Sequence, residues 1–236
     1  MRIFAIDTSA KSASAAFVED GVIKGEYFIN TMLTHSETLM PMVDLLIKSV
    51  RVELSDIDYF AVNCGPGSFT GLRIGIAAVK GMAFALNRPC VAVSTLESMA
   101  YNLSDEDAVF CAVMDARCSQ VYNALFENIN GSVVRLCDDR ALKIDELKEE
   151  FTNYMCRRII LVGDGAKLCY ERMKADIPNI ELAPENLLYQ RASSVAFAAS
   201  ELIEKGDIID SSQLMPRYLR LPQAQRELLA KKNINQ

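Results

Sequence analysis

The chain has 236 residues, of which 50% are hydrophobic and 24% are charged, and this is the ordinary composition of a globular protein. Its net charge of −6 argues against a protein that binds nucleic acid by itself, because phosphate contacts need clustered Lys and Arg. The single histidine, His35, excludes a metal site that needs two histidines from this chain. The seven scattered cysteines lack a C-x-x-C motif, and no stretch of about 18 uncharged apolar residues occurs, so we expect a reduced cytoplasmic protein without a membrane span.

The first part of the chain predicts a β-meander followed by alternating helices and strands. Thr34 and Glu37 form a capping box that opens the first helix, and Pro41 should either kink that helix or delay its start. The predicted elements are strands at 2–7, 12–19 and 22–29, a helix after residue 34, a strand at 58–63, a helix at 72–86, a strand at 89–93 and a short helix at 94–102.

The same order repeats after the polar stretch 103–107, so we predict two subdomains, 1–103 and 104–236. The second set comprises strands at 108–115, 120–127 and 132–137, a helix around 144–154, a strand at 158–162, a helix at 167–174, a weak strand at 179–182, a helix capped by Ser193 and Ser194, and a tail that turns helical before 230. Each half reads β-β-β-α-β-α-β-α. This pattern predicts a duplicated ribonuclease-H-like α/β fold, the plan of actin, hexokinase and Hsp70.

In that plan a nucleotide lies between the halves, which suggests a degenerate nucleotide site. The candidate residues are Asp7, Thr8, Ser9, Asp115, Gly163 and Gly165. Neither predicted hairpin turn contains a glycine, although backbone N–H groups approach phosphate best where no side chain intrudes. Asp7 and Asp115 can therefore also be interpreted as ordinary turn residues.

A glycine-rich loop at 65–71 leads into an almost entirely apolar helix. Its spacing matches neither a Walker A motif nor G-x-G-x-x-G, so it is better interpreted as a sharp strand-to-helix turn. Gly75 and Gly81 lie inside the helix, where a glycine costs about 1 kcal/mol relative to alanine. They indicate that another backbone comes close, either from the sheet or from a partner.

Two further groups of residues have a functional and a structural interpretation. Ser68, His35 and Asp44 could be assembled into a hydrolase triad, but Ser68 is not in a G-x-S-x-G motif. The basic residues at 217–220, together with Arg226, form either a solvated tail or a contact with an acidic partner or RNA in a larger complex.

Six segments together resemble one protein family. They are I-D-T-S (6–9), H-S-E-T-L-M-P (35–41), G-P-G-S-F-T-G-L-R-I-G-I-A-A-V-K-G-M-A (65–83), V-S-T-L-E (93–97), V-M-D-A-R (113–117) and P-R-Y-L-R (216–220). The chain resembles the TsaB (YeaZ) family, bacterial partners of TsaD in making N6-threonylcarbamoyladenosine at position 37 of ANN-decoding tRNAs.

The resemblance implies an actin-like fold and a non-catalytic role beside TsaD, which carries the metal and transfers the threonylcarbamoyl group. It also implies assembly with the ATPase TsaE, self-association to a homodimer when alone, contact with tRNA only through the complex, and ATP at the level of the complex. The metal motif of TsaD, N-H-x-E-G-H, aligns with residues 94–99, where Thr95 and Met99 replace both histidines. Neither is a good ligand for zinc or iron.

We therefore expect a scaffold and activator of a tRNA-modifying transferase that binds no metal or cofactor by itself. The expected partner interface comprises His35, Leu39, Met40, Val43, Leu46, Leu72, Arg73, Ile76 and Lys80. The apolar members would supply buried contact, and the two cations would pair with acidic partner residues. The alternatives are an autonomous actin-like ATPase or kinase, and a glycoprotease-like peptidase.

Overall fold

The first half of the chain folds into a five-stranded mixed sheet in the order β3-β2-β1-β4-β5. The computed structural model describes residues 1–31 and 33–220, so the predicted tail helix and Arg226 lie outside the described residues. The elements are β1 (Arg2–Asp7), β2 (Ala13–Glu19), β3 (Val22–Ile29), α1 (His35–Val50), β4 (Tyr59–Gly65), α2 (Phe69–Leu86), β5 (Cys90–Ser94) and α3 (Thr95–Ala100). The meander β1–β3 is antiparallel, whereas β4 and β5 join in parallel through helical crossovers, as the predicted order requires.

The second half forms a sheet in the order β11-β10-β6-β7-β8, with one additional strand. Its elements are β6 (Val109–Asp115), β7 (Gln120–Ile129), β8 (Ser132–Arg135), β9 (Arg140–Lys143), α4 (Ile144–Phe151), β10 (Ile159–Val162), α5 (Ala166–Met173), β11 (Ile180–Leu182) and α6 (Ala192–Glu204). The strand β9 pairs with β7 and was not predicted. Its sequence, R-A-L-K, is too short to show an alternation of apolar and polar residues, so periodicity does not indicate a strand there.

The capping box at Thr34 fixes the start of α1. The backbone N–H of Thr34 donates to the Glu37 carboxylate over 3.1 Å, and the helix begins at His35. Pro41 lies inside the helix, so the alternative prediction of a later start was wrong. Pro41 is the seventh residue of α1, so it removes the N–H that would bond to the Glu37 carbonyl, and the helix continues with one interior hydrogen bond fewer.

Helix α2 packs on the same face of the first sheet as α1. Ser68 caps its N-terminus by accepting the N–H of Gly71, and Asn87 ends it in a left-handed conformation with φ of 50°. By length and composition alone α2 could cross a membrane, since 18 residues have a mean hydropathy of 1.4. Its Leu72 and Val79 side chains are instead fully buried against the sheet, although only 39% of the helix is buried.

The two halves exchange helices, so their hydrophobic cores do not separate at residue 103. Helix α3 follows the first sheet, yet its Leu96 and Met99 side chains belong to the core of the second sheet. Helix α6 ends the second half, yet Val195 and Ala199 pack against the first sheet beside Val93. Each half therefore depends on the other for burial of one sheet face.

The N-terminus of α6 is capped from the other half of the molecule. The carboxylate of Glu26 on β3 accepts the Ser193 N–H over 2.9 Å and the Ser193 hydroxyl over 2.8 Å, and it also pairs with Arg191. Ser193 and Ser194, predicted as the capping residues, lie inside the helix. That prediction was wrong because the cap comes from a residue more than 160 positions away in sequence.

Candidate functional site

The glycine-rich loop before α2 packs directly against the turn that follows β1. The backbone N–H of Ser68 donates to the Ser9 carbonyl over 2.7 Å. A Cβ on Gly71 would collide with the Thr8 carbonyl oxygen, and one on Gly75 would collide with the Thr8 hydroxyl. These glycines therefore let two backbone segments meet, which is the strand-to-helix interpretation of the loop.

The same packing covers three of the residues predicted to bind nucleotide. Asp7, Thr8 and Ser9 are at most 1% exposed. The Asp7 carboxylate accepts hydrogen bonds from the Asn63 side chain over 2.8 Å and from the Ser9 N–H over 3.2 Å. Burial raises the pKa of Asp7, and hydrogen bonds from Ser9 and Asn63 oppose the rise. In this conformation a phosphate cannot reach these groups, so the geometry gives no support to that part of the prediction.

The other three predicted nucleotide residues lie at the matching edge of the second sheet. Asp115 is exposed at the end of β6. A Cβ on Gly163 would collide with the Val113 carbonyl, and one on Gly165 would lie 2.9 Å from the Met114 carbonyl carbon, so both glycines permit close backbone packing. The six residues thus lie at corresponding edges of the two sheets. Asp7, Thr8 and Ser9 are buried, and Gly163 and Gly165 stand where a side chain would collide with the neighbouring backbone.

Asp164, between those two glycines, is the most perturbed carboxyl group at this edge. Burial raises its pKa to about 6, a hydrogen bond from the Gln190 amide opposes the rise, and nearby Asp115 adds to it. The donor–acceptor distance from Gln190 is 3.3 Å. The sequence selected the flanking Gly163 and Gly165 but not Asp164, because loss of solvent around a loop carboxylate has no signature in the sequence.

The positions that align with the TsaD metal motif are occupied by packing residues. Thr95 and Met99 are fully buried, and the Met99 sulfur lies against Gly163 of the other half. Ser94 caps α3 and donates to the Asp139 carboxylate over 2.6 Å. A threonine hydroxyl and a thioether are poor ligands for zinc or iron. Within residues 1–31 and 33–220, no three His, Cys, Asp or Glu side chains are grouped to hold a metal ion.

A cavity of about 420 Å³ lies between the halves, away from the predicted nucleotide residues. It opens beside Gly65 and Ser94, and its charged lining includes Glu97, Arg135 and Asp139. Arg135 pairs with Glu97 over 3.1 Å and with Asp139 over 2.6 Å, so these wall charges largely neutralise one another.

The three residues of the possible hydrolase triad each have a structural contact. The His35 Nε2 atom lies 2.7 Å from the Ala10 carbonyl oxygen. The Ser68 hydroxyl caps α2, and Asp44 pairs with Lys48 over 2.6 Å. These contacts explain the residues without nucleophilic chemistry.

The expected partner interface divides into buried and exposed residues. Five of its apolar members face the protein's own core and are at most 5% exposed, so they cannot supply a docking surface without unfolding; they are Leu39, Val43, Leu46, Leu72 and Ile76. The sequence could not show this burial, because the helical period identifies an apolar stripe but not what covers it. Met40 is 49% exposed, and His35 is half-buried.

The two expected interface cations contact the chain's own C-terminal segment. Arg73 donates to the Tyr218 hydroxyl over 2.8 Å, and Lys80 donates to the Ser212 carbonyl over 3.2 Å. Tyr218 also stacks on Phe69, with ring centroids 4.2 Å apart. Arg73 and Lys80 thus hold the C-terminal segment on α2. The sequence had suggested instead that they pair with acidic residues of a partner.

Exposed apolar residues occur on the solvent sides of α1 and α2. Ala77, Gly81 and Phe84 recur at helical spacing along one side of α2, which we call the outward face, and the exposed Met40 and Leu45 lie on two different sides of α1. Phe84 is 81% exposed, and no atom lies within 4 Å of a Cβ placed on Gly81. The outward face is the largest feature of these two helices that intramolecular packing leaves unexplained.

The chain is similar along nearly its whole length to proteins of tRNA modification. Residues 30–228 match the family model described as TsaD: tRNA N6-adenosine threonylcarbamoyltransferase. The tRNA threonylcarbamoyladenosine biosynthesis protein TsaB of Bacillus subtilis is 30% identical over 230 residues, covering 95% of this chain and 96% of that protein. The Escherichia coli protein of the same name is 28% identical over 233 residues, covering 98% and 100%.

Solved structures confirm the predicted duplicated fold. YeaZ from Pseudomonas aeruginosa has a TM-score of 0.76 at 26% identity, covering 92% of this chain and 99% of that chain. The activator of 2-hydroxyisocaproyl-CoA dehydratase from Clostridium difficile, with bound ADPNP, has a TM-score of 0.50 at 11% identity, covering 88% and 97%. The second likeness concerns the fold alone.

Proposed function

The chain belongs to the TsaB (YeaZ) family of tRNA threonylcarbamoyladenosine biosynthesis proteins, and from this membership we propose that it is a non-catalytic scaffold and activator. It serves the complex that adds a threonylcarbamoyl group to N6 of adenosine 37 in ANN-decoding tRNAs. Its partner is a TsaD-like catalytic subunit, and the complex works in the cytoplasm.

The outward face is the observation that carries this proposal. Helix α2 is apolar enough for full burial, yet only 39% of it is buried within the chain. An interior glycine weakens a helix by about 1 kcal/mol, and no atom of residues 1–31 and 33–220 occupies the space beside Gly81. A partner helix whose backbone approaches closely would use that space, and Phe84 would be an aromatic anchor of the kind that dominates interfaces.

The same surface accounts for the other proposed associations. A second copy of the chain can cover the outward face when the TsaD-like subunit is absent, which gives a homodimer in isolation. A TsaE-like ATPase joins the complex and accounts for its ATP, and tRNA is bound by the complex rather than by the isolated chain. The net charge of −6 agrees with a subunit that does not bind RNA by itself.

The chemistry of the buried groups supports a non-catalytic role. Thr95 and Met99 stand where the transferase motif has histidines, and both are packed in the core. The turn after β1 is sealed by the loop before α2, so the autonomous ATPase or kinase lacks an accessible phosphate position in the first half. The peptidase alternative lacks both a suitable donor set and a free nucleophile–base pair.

A complementation experiment tests the proposal. The chain is depleted from its host, and wild type, Phe84→Glu or Met155→Glu is returned. We expect depletion to remove threonylcarbamoyladenosine from tRNA, measured by mass spectrometry of digested nucleosides, and wild type to restore it. Phe84→Glu should neither restore it nor co-purify with the TsaD-like subunit, since a charge would be buried in the interface.

Met155→Glu is the matched control, because Met155 is 43% exposed on the second half, outside the outward face. It should behave as wild type. Full modification in depleted cells would overturn the proposed function. Normal pairing of Phe84→Glu would show that the partner uses another surface.

A further inference from the structure

Three arginines gather at the turn between β6 and β7, at the edge of the second sheet. They are Arg117 in the turn, Arg172 near the end of α5, and Arg220 at the end of the described tail; we call them the arginine patch. Arg117 and Arg172 are exposed, and Arg220 is half-buried. Arg217–Arg220 is the basic stretch whose role the proposed scaffold function does not explain.

Contacts with one short turn place the three side chains together. Arg220 donates to the Ala116 carbonyl over 2.8 Å, which ties the tail to the second half. The Arg172 guanidinium lies 3.5 Å from the Ser119 hydroxyl. Arg117 lies between these two contact points in the chain. The patch thus draws on three segments that are far apart in sequence.

The patch arginines differ from most basic side chains of the protein in their ion pairing. Most other basic side chains in the described part of the chain form ion pairs, for example Lys24 with Glu19 and Lys205 with Glu201, but none of the three patch arginines has an acidic partner there. This contrast is notable in a chain with an excess of acidic residues.

The acidic groups near the patch are occupied. The exposed Asp115 carboxylate accepts the Arg117 backbone N–H over 2.8 Å. Asp164 is half-buried and hydrogen-bonded to Gln190, and Glu171, beside Arg172, pairs with Lys174 over 2.6 Å. The three guanidinium groups therefore keep donors available to an external anion.

The backbone of the turn is held in an unfavourable conformation. Arg117, Cys118 and Ser119 have φ of 67°, 55° and 56°, so three successive non-glycine residues are left-handed. Each costs roughly 1 kcal/mol or more relative to an ordinary conformation. Glycine or asparagine would relieve this strain, and strained backbone in folded proteins clusters at binding sites. The strain therefore favours a role for this turn beyond connecting two strands.

We propose that Arg117, Arg172 and Arg220 bind the phosphate backbone of the tRNA substrate when the chain is assembled with its TsaD-like partner. The inference rests on the proposed function, which supplies a polyanionic substrate. Guanidinium groups match phosphate oxygens through paired N–H donors, and contacts of this kind position an RNA without reading its sequence. Three contacts are too few for the acidic chain to hold RNA alone, so the patch adds affinity to that of the partner.

The test uses the reconstituted heterodimer and an unmodified transcript of an ANN-decoding tRNA. Arg117→Gln, Arg172→Gln and Arg220→Gln are combined, and affinity is measured by fluorescence anisotropy at several salt concentrations. We expect binding to weaken roughly tenfold or more near 0.15 M salt, and the slope of log K against log salt to fall by about 2 to 3. Co-elution with the partner should match wild type, and the thermal midpoint should fall by no more than about 4 °C, because Arg220→Gln removes one hydrogen bond between the tail and the second half.

The matched control combines Lys24→Gln, Arg158→Gln and Lys205→Gln, which removes three ion-paired cations elsewhere on the surface. It changes the net charge equally and should leave the affinity and the slope unchanged. Equal weakening by the control, or wild-type binding by the patch variant, overturns the proposal. Lost pairing with the partner would overturn it in favour of a protein contact. Failure of the wild-type chain to pair overturns the proposed function itself, and the patch with it.

Discussion

At the residue scale, Asp164 shows how the junction between the sheets alters a side chain. It lies half-buried between two glycines and accepts a hydrogen bond from Gln190, and its loss of solvent raises its pKa to about 6. The ordinary value is 3.8, so between these two pH values the folded chain keeps a proton that the unfolded chain has lost. The folded state then binds more protons, and its stability from this group decreases as pH rises through that window.

Replacing Asp164 with asparagine should remove this pH dependence. Near pH 4 the neutral amide and the protonated carboxyl are similar, so the two proteins should have nearly equal free energies of unfolding. By pH 7 the variant should be the more stable protein, by roughly 1.4 kcal/mol for each pH unit of the raised pKa. Urea denaturation at both pH values measures this. A difference in the free energy of unfolding that is the same at both pH values would contradict a raised pKa of Asp164. Asp7 is present in both proteins, so its own titration does not affect this difference.

At the scale of a single element, α2 has two apolar faces with different roles. Ile76 is 5% exposed and packs in the core, whereas its neighbour Ala77 belongs to the outward face. The sequence could not separate these faces, because a helix that is apolar all round has no polar side to mark the solvent. Leu72 and Ile76, the two apolar α2 residues expected at the interface, therefore face the core of the chain in this structure.

Glutamate at positions 76 and 77 should have very different effects on the free energy of unfolding. Ile76→Glu buries a charge without a partner and should lower the free energy of unfolding by about 3 kcal/mol or more. Ala77→Glu should change it by no more than about 0.5 kcal/mol, as is usual for exposed positions. Chemical denaturation of the isolated chain measures both. Equal losses in the two variants would mean that α2 is rotated from the orientation described.

At the scale of the whole molecule, the halves are joined by exchanged parts. Helix α3 buries its apolar side on the second sheet, α6 buries its own on the first, and Glu26 caps α6 across the junction. The tail adds another link, since its contact with Phe69 on α2 is followed by the bond from Arg220 to Ala116. Loosening one junction should therefore weaken both sheets together.

Glu26→Ala should destabilise the whole chain in a single transition. The change removes the cap of α6 and leaves Arg191 without its carboxylate, which should cost about 3 kcal/mol. Glu171→Ala is the control, because it breaks an exposed pair with Lys174 and should cost less than about 1 kcal/mol. Urea titration followed by circular dichroism and by tyrosine fluorescence measures both. Two separate transitions in Glu26→Ala would contradict the interdependence of the halves.

The amino-acid sequence alone determined the order of the elements and the class of the fold. Alternation and the helical period located the strands and helices, and the Thr34 capping box fixed the start of α1 correctly, because these features depend on neighbours within a few residues. The identity of single residues also bore on the chemistry, because one histidine excludes a site that needs two, and Thr95 and Met99 are poor metal ligands.

Only the tertiary structure decided which surfaces meet. Periodicity identifies an apolar side but not its partner, so neither the helix exchange nor the cap by Glu26 could be predicted. The arginine patch depends on contacts between residues 53 and 104 positions apart, and nothing in the local pattern records them. Burial and long-range contact are properties of the folded chain, and they decided that Ile76 packs inside and Phe84 faces out.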